Sequence, residues 1–364
     1  MQNNIKSKPT VLMFGPALTA KSGISAVVNN WIEADIEREI ELIYVPTLSD
    51  FIAGKYLMKL YDAGRAFTRL LIESLKPIDI VHIHFSGKMS FYRKLVIFVY
   101  VRLRQIKVIV HLHSGGFKSF YNTGPWYRKK LIKYMFDHSD AVFVLSSGWS
   151  EFVGSLTENR SIHIISNGAS VVKFNPNRKK EESQDVLILF MGKLSVNKGI
   201  YDLIEAFQRL NKDFIDARLV LGGSGDTNKI KALIEKKGIG NRVDVLGWVS
   251  GKRKNDIYEN ADIFVLPSYF EGLPGSMLEA MAAGTAIVST NVGAIPEIVK
   301  EGWNGYLIES GDIEALYVRL LILCRNKNLR YKMGRESRRI IEEKYDINKI
   351  VEELVTAYRE ILAL

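Results

Sequence analysis

The chain has 364 residues, 47% of them hydrophobic and 25% charged, with a formal net charge of +10. That length exceeds what one hydrophobic core usually serves, so two domains are expected. Its one cysteine, Cys324, lies in a leucine-rich helical stretch; it reads as a core residue and excludes a disulfide framework.

Along the chain, short β-branched runs alternate with helical patterns. The opening "MQNNIKSKPTVLMFG" has no signal-peptide core, and its apolar run reads as a strand over 10–15. Further strands are predicted at "DIVHIHF" (79–85), "KVIVHLH" (107–113) and "AVFVLS" (141–146). A second series follows at "VLILFMG" (186–192), "ARLVLGG" (217–223), "RVDVLGW" (242–248), "DIFVLPS" (262–268) and "AIVST" (286–290). Two series of alternating β and α imply two doubly wound α/β domains, each with a parallel sheet. The polar, charged stretch "NGASVVKFNPNRKKEESQD" (167–185) reads as the linker, and "DINKIVEELVTAYREIL" (346–362) as an amphipathic helix. The domains are set at 1–170, 171–345 and a C-terminal helical segment, 346–364, that can cross back to the first domain.

The charge is uneven. Residues 1–170 carry 21 Lys/Arg against 13 Asp/Glu, and residues 80–136 carry eleven basic residues and no acidic one. Lys94, Arg102, Lys107, Arg128 and Lys133 belong to that stretch, interleaved with aromatics such as Tyr92, Phe120 and Trp126. This composition suits an anionic membrane surface or an anionic acceptor; a plain solvated basic face is the alternative. The longest charge-free apolar run, "LVIFVYV" at 95–101, is too short for a bilayer span of about 20 residues. Basic charge could also serve a nucleic acid, but no recognition motif supports one.

Glycines and polar residues follow the predicted strand ends, where open α/β sheets bind ligands. Gly23 stands in "GPALTAKSGIS", Gly223 in "LGGSGD", and Lys193 and Lys198 flank "KLSVNKG" ahead of a helix. Lysines beside a helix start suit a diphosphate. Neither a Walker A loop nor a G-x-G-x-x-G is present, against an NTPase and an ordinary dehydrogenase. No D-x-D, H-E-x-x-H or cysteine pair exists, so no metal is expected. His82 and His84 share a strand face but lack a third ligand, and are read as core or site-lining. His111 is expected to point into the sheet. His113, ending its strand before Ser114–Gly115–Gly116, is expected at the interdomain mouth, where an imidazole could contact a sugar hydroxyl.

In "PSYFEGLPGSMLEAMAAG" (267–284), Glu271 and Glu279 flank a Gly/Pro turn that opens a helix. Ser276 and Glu279 have capping-box spacing, which by itself would account for Glu279. It leaves Glu271, Gly272 and Gly275 unexplained. A loop whose amides face a phosphate, with a carboxylate at either end, suits a nucleotide sugar.

These residues resemble the family-four retaining glycosyltransferases, whose E-x7-E motif is matched by Glu271 to Glu279. "GKLSVNKGIYDLIEAF", "SNGASVVKFNP", "DIVHIH" and "VHLHSGG" match further signatures, with Lys193 where an arginine is usual and Ala294 where a glycine is usual. The resemblance implies the GT-B fold: two Rossmann-like domains facing a central cleft, the first for the acceptor and the second for the donor. Glu279 would hold the ribose, Glu271 and His113 the donor sugar, and Lys193 and Lys198 the diphosphate. Amides of Gly23, Leu273 and Ser276 would cradle donor oxygens, Gly223 and Gly272 would line the donor site, and backbone near Val249 would read the base. His113, Glu271 and Lys198 form the expected catalytic group. The implied reaction is a metal-free hexosyl transfer with retention from a UDP- or GDP-sugar, needing no cofactor. The expected acceptor is a glycan or lipid-linked intermediate of surface polysaccharide assembly, handled in the cytoplasm at the inner face of the cell membrane. A GT-B epimerase, a phosphorylase and a non-catalytic subunit stay open as alternatives.

Overall fold

In the computed structural model, residues 8–48, 56–175 and 185–363 are described, residues 56–60 and 63 by backbone alone. The elements, in chain order, begin β1 (Thr10–Gly15), α1 (Gly23–Glu33), β2 (Glu41–Pro46), α2 (Tyr56–Glu73), β3 (Ile80–Phe85) and α3 (Met89–Leu103). They continue with β4 (Lys107–Leu112), α4 (Phe117–Asn122), α5 (Trp126–Asp137), β5 (Ala141–Val144), α6 (Ser147–Gly154) and β6 (Ile162–Ile164). The second series is β7 (Val186–Met191), α7 (Ile200–Asp213), β8 (Ala217–Gly222), α8 (Thr227–Lys236), β9 (Val243–Gly247), α9 (Gly251–Asn260) and β10 (Ile263–Leu266). The chain ends with α10 (Gly275–Ala282), β11 (Ala286–Thr290), α11 (Ile295–Ile298), β12 (Gly305–Ile308), α12 (Ile313–Arg325), α13 (Lys327–Ile340) and α14 (Ile347–Ala363).

The chain divides into two compact units, Met1–Asn167 with Ile347–Leu364, and Gly168–Asp346. Residues 176–184 of the expected linker lie outside the described residues. Each unit holds one parallel six-stranded sheet, ordered β2-β1-β3-β4-β5-β6 in the first and β12-β11-β10-β7-β8-β9 in the second.

Strands buried on both faces explain the near-continuous apolar runs. In the first unit, alternation sends Leu12, Phe14, Val81, Ile83, Val108, Val110 and Val142 into a core beneath α3, α5 and α6. Val11, Met13, Ile80, Ile109 and Phe143 face the other way, against α1 and α14. The apolar stripe of α14, Ile347, Ile350, Val351, Leu354, Tyr358 and Ile361, repeats at helical spacing and is buried in that second core. In the second unit, Ile200, Leu203, Ile204, Phe207 and Leu210 form the same kind of stripe on α7. Cys324 is buried on α12, and burial pushes its thiol up to about 12.

Three strands escape the sequence pattern, β2, β6 and β12, and each is the edge of its sheet. An edge strand has one neighbour and a partly exposed face, so its apolar run is short or broken. β2 even ends in Pro46, which an edge tolerates because no donor is needed there.

Candidate functional site

Of the residues expected at the site, Gly23 and His113 belong to the first unit and the other nine to the second. In the second unit the chain leaves β10 and crosses a loop, 267–274, before α10. That loop is held from several sides. Tyr269 N–H donates to the Asn197 carbonyl at 2.9 Å, and Ala294 N–H donates to the Gly272 carbonyl at 2.9 Å. The Ser268 carbonyl accepts from Thr290 Oγ1 at 2.6 Å and Ser310 Oγ at 3.1 Å. The Tyr269 hydroxyl donates to Asp202 Oδ2 at 2.9 Å.

Two glycines make this packing possible. Gly199 has φ +67°, and a Cβ there would lie 2.0 Å from the Pro267 carbonyl oxygen. Gly293 has φ +60°, and a Cβ there would lie 2.0 Å from the Glu271 carbonyl oxygen. Only glycine gives both the left-handed backbone and the close approach.

The result places Lys198, from the turn before α7, against Glu271. The two form an ion pair, and Ser268 Oγ donates to the same Glu271 Oε1 at 2.7 Å. Glu271 is 7% exposed, so its charge is held by a lysine and a hydroxyl rather than by water. Lys193 is exposed, with no ion pair among the described residues.

Glu279 lies on α10, and Lys254 Nζ of α9 donates to its Oε1 at 2.6 Å. Beneath this pair Tyr258 is fully buried; burial and then the Glu279 charge raise its phenol well above the ordinary value. The capping-box reading is corrected here. The N-cap of α10 is Pro274, which has no side-chain cap bond, so Ser276 sits inside the first turn and Glu279 is spent on Lys254. Leu273 is buried just ahead of that helix. Gly223 N–H donates to the Gly247 carbonyl at 2.7 Å at the end of β8, and Val249 follows β9 as a buried residue. Lys254 and Ser268 are the members that sequence reasoning missed. Lys254 carries no local signal, since only the packing of α9 on α10 brings it to Glu279.

In the first unit, Gly23 opens α1, whose N-cap Ser22 accepts from Ser25 N–H. His113 enters a cluster of four histidines on the sheet face that packs against α1 and α14. His84 Nδ1 lies 2.8 Å from His113 Nε2, His82 Nε2 lies 3.2 Å from His111 Nδ1, and His82 Nδ1 lies 2.5 Å from the Tyr358 hydroxyl. Trp31 of α1 stacks on His111. His111 and His113 are two residues apart, so both side chains emerge on this one face, and His111 is fully buried there. Burial lowers the His82, His84 and His111 imidazoles well below the ordinary value and His113 to about 3. All four are therefore neutral near pH 7.

His111 supplies the third nitrogen that the sequence lacked: nitrogens of His82, His84 and His111 lie within 4.8 Å of one another. All three residues are fully buried, and His82 commits both nitrogens to Tyr358 and His111. We read the group as packing.

The basic stretch 80–136 is also redistributed. Lys94 is buried, its Nζ donating to Thr47 Oγ1 at 2.6 Å. Arg102 and Lys107 pair with Asp140, and Lys133 with Asp137 and Glu158. These four leave the free basic surface. Trp126 and Leu103 remain exposed, with Lys130 5.1 Å over the Trp126 ring. No helix among the described residues is long and apolar enough to cross a membrane.

Two families match successive parts of this chain. Residues 26–172 match "Glycosyltransferase Family 4", and residues 172–340 match "Glycosyl transferases group 1". Together the two models span residues 26–340 of this chain. Among curated relatives, an uncharacterized glycosyltransferase of Methanocaldococcus jannaschii is 30% identical over 60% of this chain and 59% of its own length. The N-acetyl-alpha-D-glucosaminyl L-malate synthase of Bacillus anthracis is 28% identical over 83% of this chain and 80% of its own length. A capsular polysaccharide biosynthesis glycosyltransferase of Staphylococcus aureus is 26% identical over 63% of each. The GT-B fold is that of sucrose-phosphate synthase from Thermosynechococcus elongatus, with TM-score 0.82, 18% identity and coverage of 98% and 100%. It is also that of HepE from Anabaena, solved with UDP and glucose, with TM-score 0.76, 15% identity and coverage of 97% and 100%.

Proposed function

We propose that this chain is a family-four glycosyltransferase that moves a hexose, with retention and without a metal ion, from a nucleoside-diphosphate sugar to a glycan or lipid-linked acceptor of surface polysaccharide assembly. The observation that carries the reading is the arrangement around α10. Glu271 with Lys198 stands before the helix start, and Glu279 with Lys254 stands one turn inside it. A helix N-terminus between two lysine–carboxylate pairs favours an anion. In this proposal Lys198 and Lys193 take up the charge of the departing diphosphate, the largest demand of the reaction. Glu271, released from Lys198 when phosphate arrives, accepts from the donor sugar, and Glu279 accepts from the ribose. Amides of Leu273 and Ser276 cradle donor oxygens. Gly223, Gly272 and the backbone at Val249 complete the donor site.

The UDP and glucose of the Anabaena neighbour and the capsular role of the Staphylococcus relative support this choice of donor and acceptor. The experiment is a thermal-shift screen with UDP-, GDP- and ADP-sugars, because a ligand of the native state raises Tm by mass action. One nucleotide sugar is expected to raise Tm, and turnover is expected to persist in chelator with the product keeping the donor's anomeric configuration. No shift with any sugar nucleotide would end the proposal.

The exposed Trp126, Leu103 and Lys130 support a peripheral contact with anionic lipid at the inner face of the cell membrane. Flotation on anionic vesicles is expected and is expected to weaken in high salt. Absence of salt-sensitive binding removes this part.

A further inference from the structure

A cavity lies in the first unit, well apart in sequence from the α10 loop. It measures about 370 Å³ and is lined in part by Lys88, Tyr92, Ser119, Phe120, Thr123 and Arg128. Lys88 follows β3, and Ser119 and Thr123 follow β4, so the cavity opens beyond the carboxyl ends of two central strands, where α/β sheets take ligands.

Its charge is one-sided. Two cations line it and no carboxylate does, and residues 80–136 contain no acidic residue. Neither Lys88 nor Arg128 has an ion pair among the described residues. Arg128 is nevertheless fixed. Its Nε donates to the Tyr92 hydroxyl at 3.2 Å, its Nη1 donates to the Phe120 carbonyl at 2.8 Å, and its guanidinium lies 4.3 Å over the Phe120 ring. These contacts hold the plane of the guanidinium and leave Nη2 unspent. A guanidinium held this way is preorganised for an oxyanion.

Lys88 adds a second, independent sign. Its backbone φ is +61°, in the region that favours glycine. Such a backbone is strained and persists where the surroundings or the function demand it. Its side chain is exposed at the cavity rim rather than packed, so packing does not account for a lysine there. The Thr123 hydroxyl donates to the Ser119 backbone carbonyl at 2.8 Å, and Ser119, exposed, lines the cavity.

We propose that this cavity binds a phosphate-type oxyanion carried by the acceptor, held by Lys88, Arg128 and Ser119. The assignment of the anion to the acceptor rests on the transferase reading above; the oxyanion site itself does not.

The test titrates inorganic phosphate into the full chain, followed by ³¹P NMR. Lys88→Asn removes the charge and keeps a polar side chain, and Arg128→Gln keeps a polar side chain of similar reach. Each is expected to weaken phosphate binding at least tenfold, while Lys332→Met, at an exposed position on α13 in the second unit, retains it. Equal affinity in wild type, Lys88→Asn and Arg128→Gln, or the same loss in Lys332→Met, overturns the site. A competition arm separates the sources. Displacement by glycerol 3-phosphate assigns a soluble phosphorylated acceptor. Displacement only by phosphatidic acid in phosphatidylcholine vesicles assigns a lipid-borne one. Displacement by neither overturns the link to the acceptor. If no sugar nucleotide shifts Tm but phosphate still binds through Lys88, the transferase reading falls and the oxyanion site stands.

Discussion

Lys254 Nζ sits 2.6 Å from Glu279 Oε1, joining α9 to α10 across 25 residues of sequence. The pair fixes the carboxylate rotamer before any donor arrives, since Glu279 and Lys254 are only 17% and 26% exposed. Glu279→Ala is expected to weaken nucleotide-sugar binding by about 1.5–3 kcal/mol, the worth of a charge-assisted hydrogen bond. Lys254→Met is expected to weaken it less, by loosening the same carboxylate. Calorimetric Kd values for both variants check the order, and wild-type affinity in Glu279→Ala contradicts it.

Glu271 should behave differently, because it holds Lys198 as well as facing the proposed sugar. Glu271→Gln keeps an acceptor for Ser268 and removes the charge opposite Lys198. Its kcat is expected to fall more than tenfold with KM changed less than threefold, as for an interaction made mainly in the transition state. A rise in KM alone would instead assign Glu271 to ground-state binding.

Gly199 and Gly293 give a test of the scaffold. Gly293→Ala forces a Cβ onto the Glu271 carbonyl oxygen in a left-handed backbone, and is expected to cost more than about 1 kcal/mol of stability together with donor binding. Gly275→Ala is the control: its Cβ would meet nothing within 4 Å and its φ is not positive. Urea unfolding of both variants measures the difference. Equal midpoints would mean that the loop does not depend on the turn at Gly293.

The four clustered histidines predict an acid-sensitive first unit. Their folded-state values lie below the ordinary histidine value, so below that value the unfolded chain binds protons that the folded chain does not, in the case of His113 down to about 3. Stability is therefore full above about pH 6.5 and falls as pH drops below it. Denaturant unfolding at pH 7.5, 6.5 and 5.5 reads the slope, and His84→Asn is expected to flatten it. A stability independent of pH over that range would mean that the folded cluster takes up protons as the unfolded chain does.

The buried strands were legible because a central parallel strand is apolar on both faces. "IVHIHF" and "KVIVHL" announce themselves without knowledge of their neighbours. The edge strands "ELIYVP" and "IHI" did not, because their pattern depends on which face a neighbour covers. At the site, the E-x7-E pair and the lysine turn could be read from spacing and glycine placement. Lys254 and Ser268 could not, nor could the commitment of Lys94, Arg102, Lys107 and Lys133 to the protein itself.

Local chemistry along the chain was enough to determined the two α/β series, the Gly/Pro turn ahead of α10 and the residue types that can meet a diphosphate, since these depend on near neighbours. Tertiary structure alone decided which polar group faces which: Glu271 to Lys198, Glu279 to Lys254, and His84 to His113. Those partners come from separate strands and helices, and the force between them acts over a few ångströms of space that sequence distance does not encode.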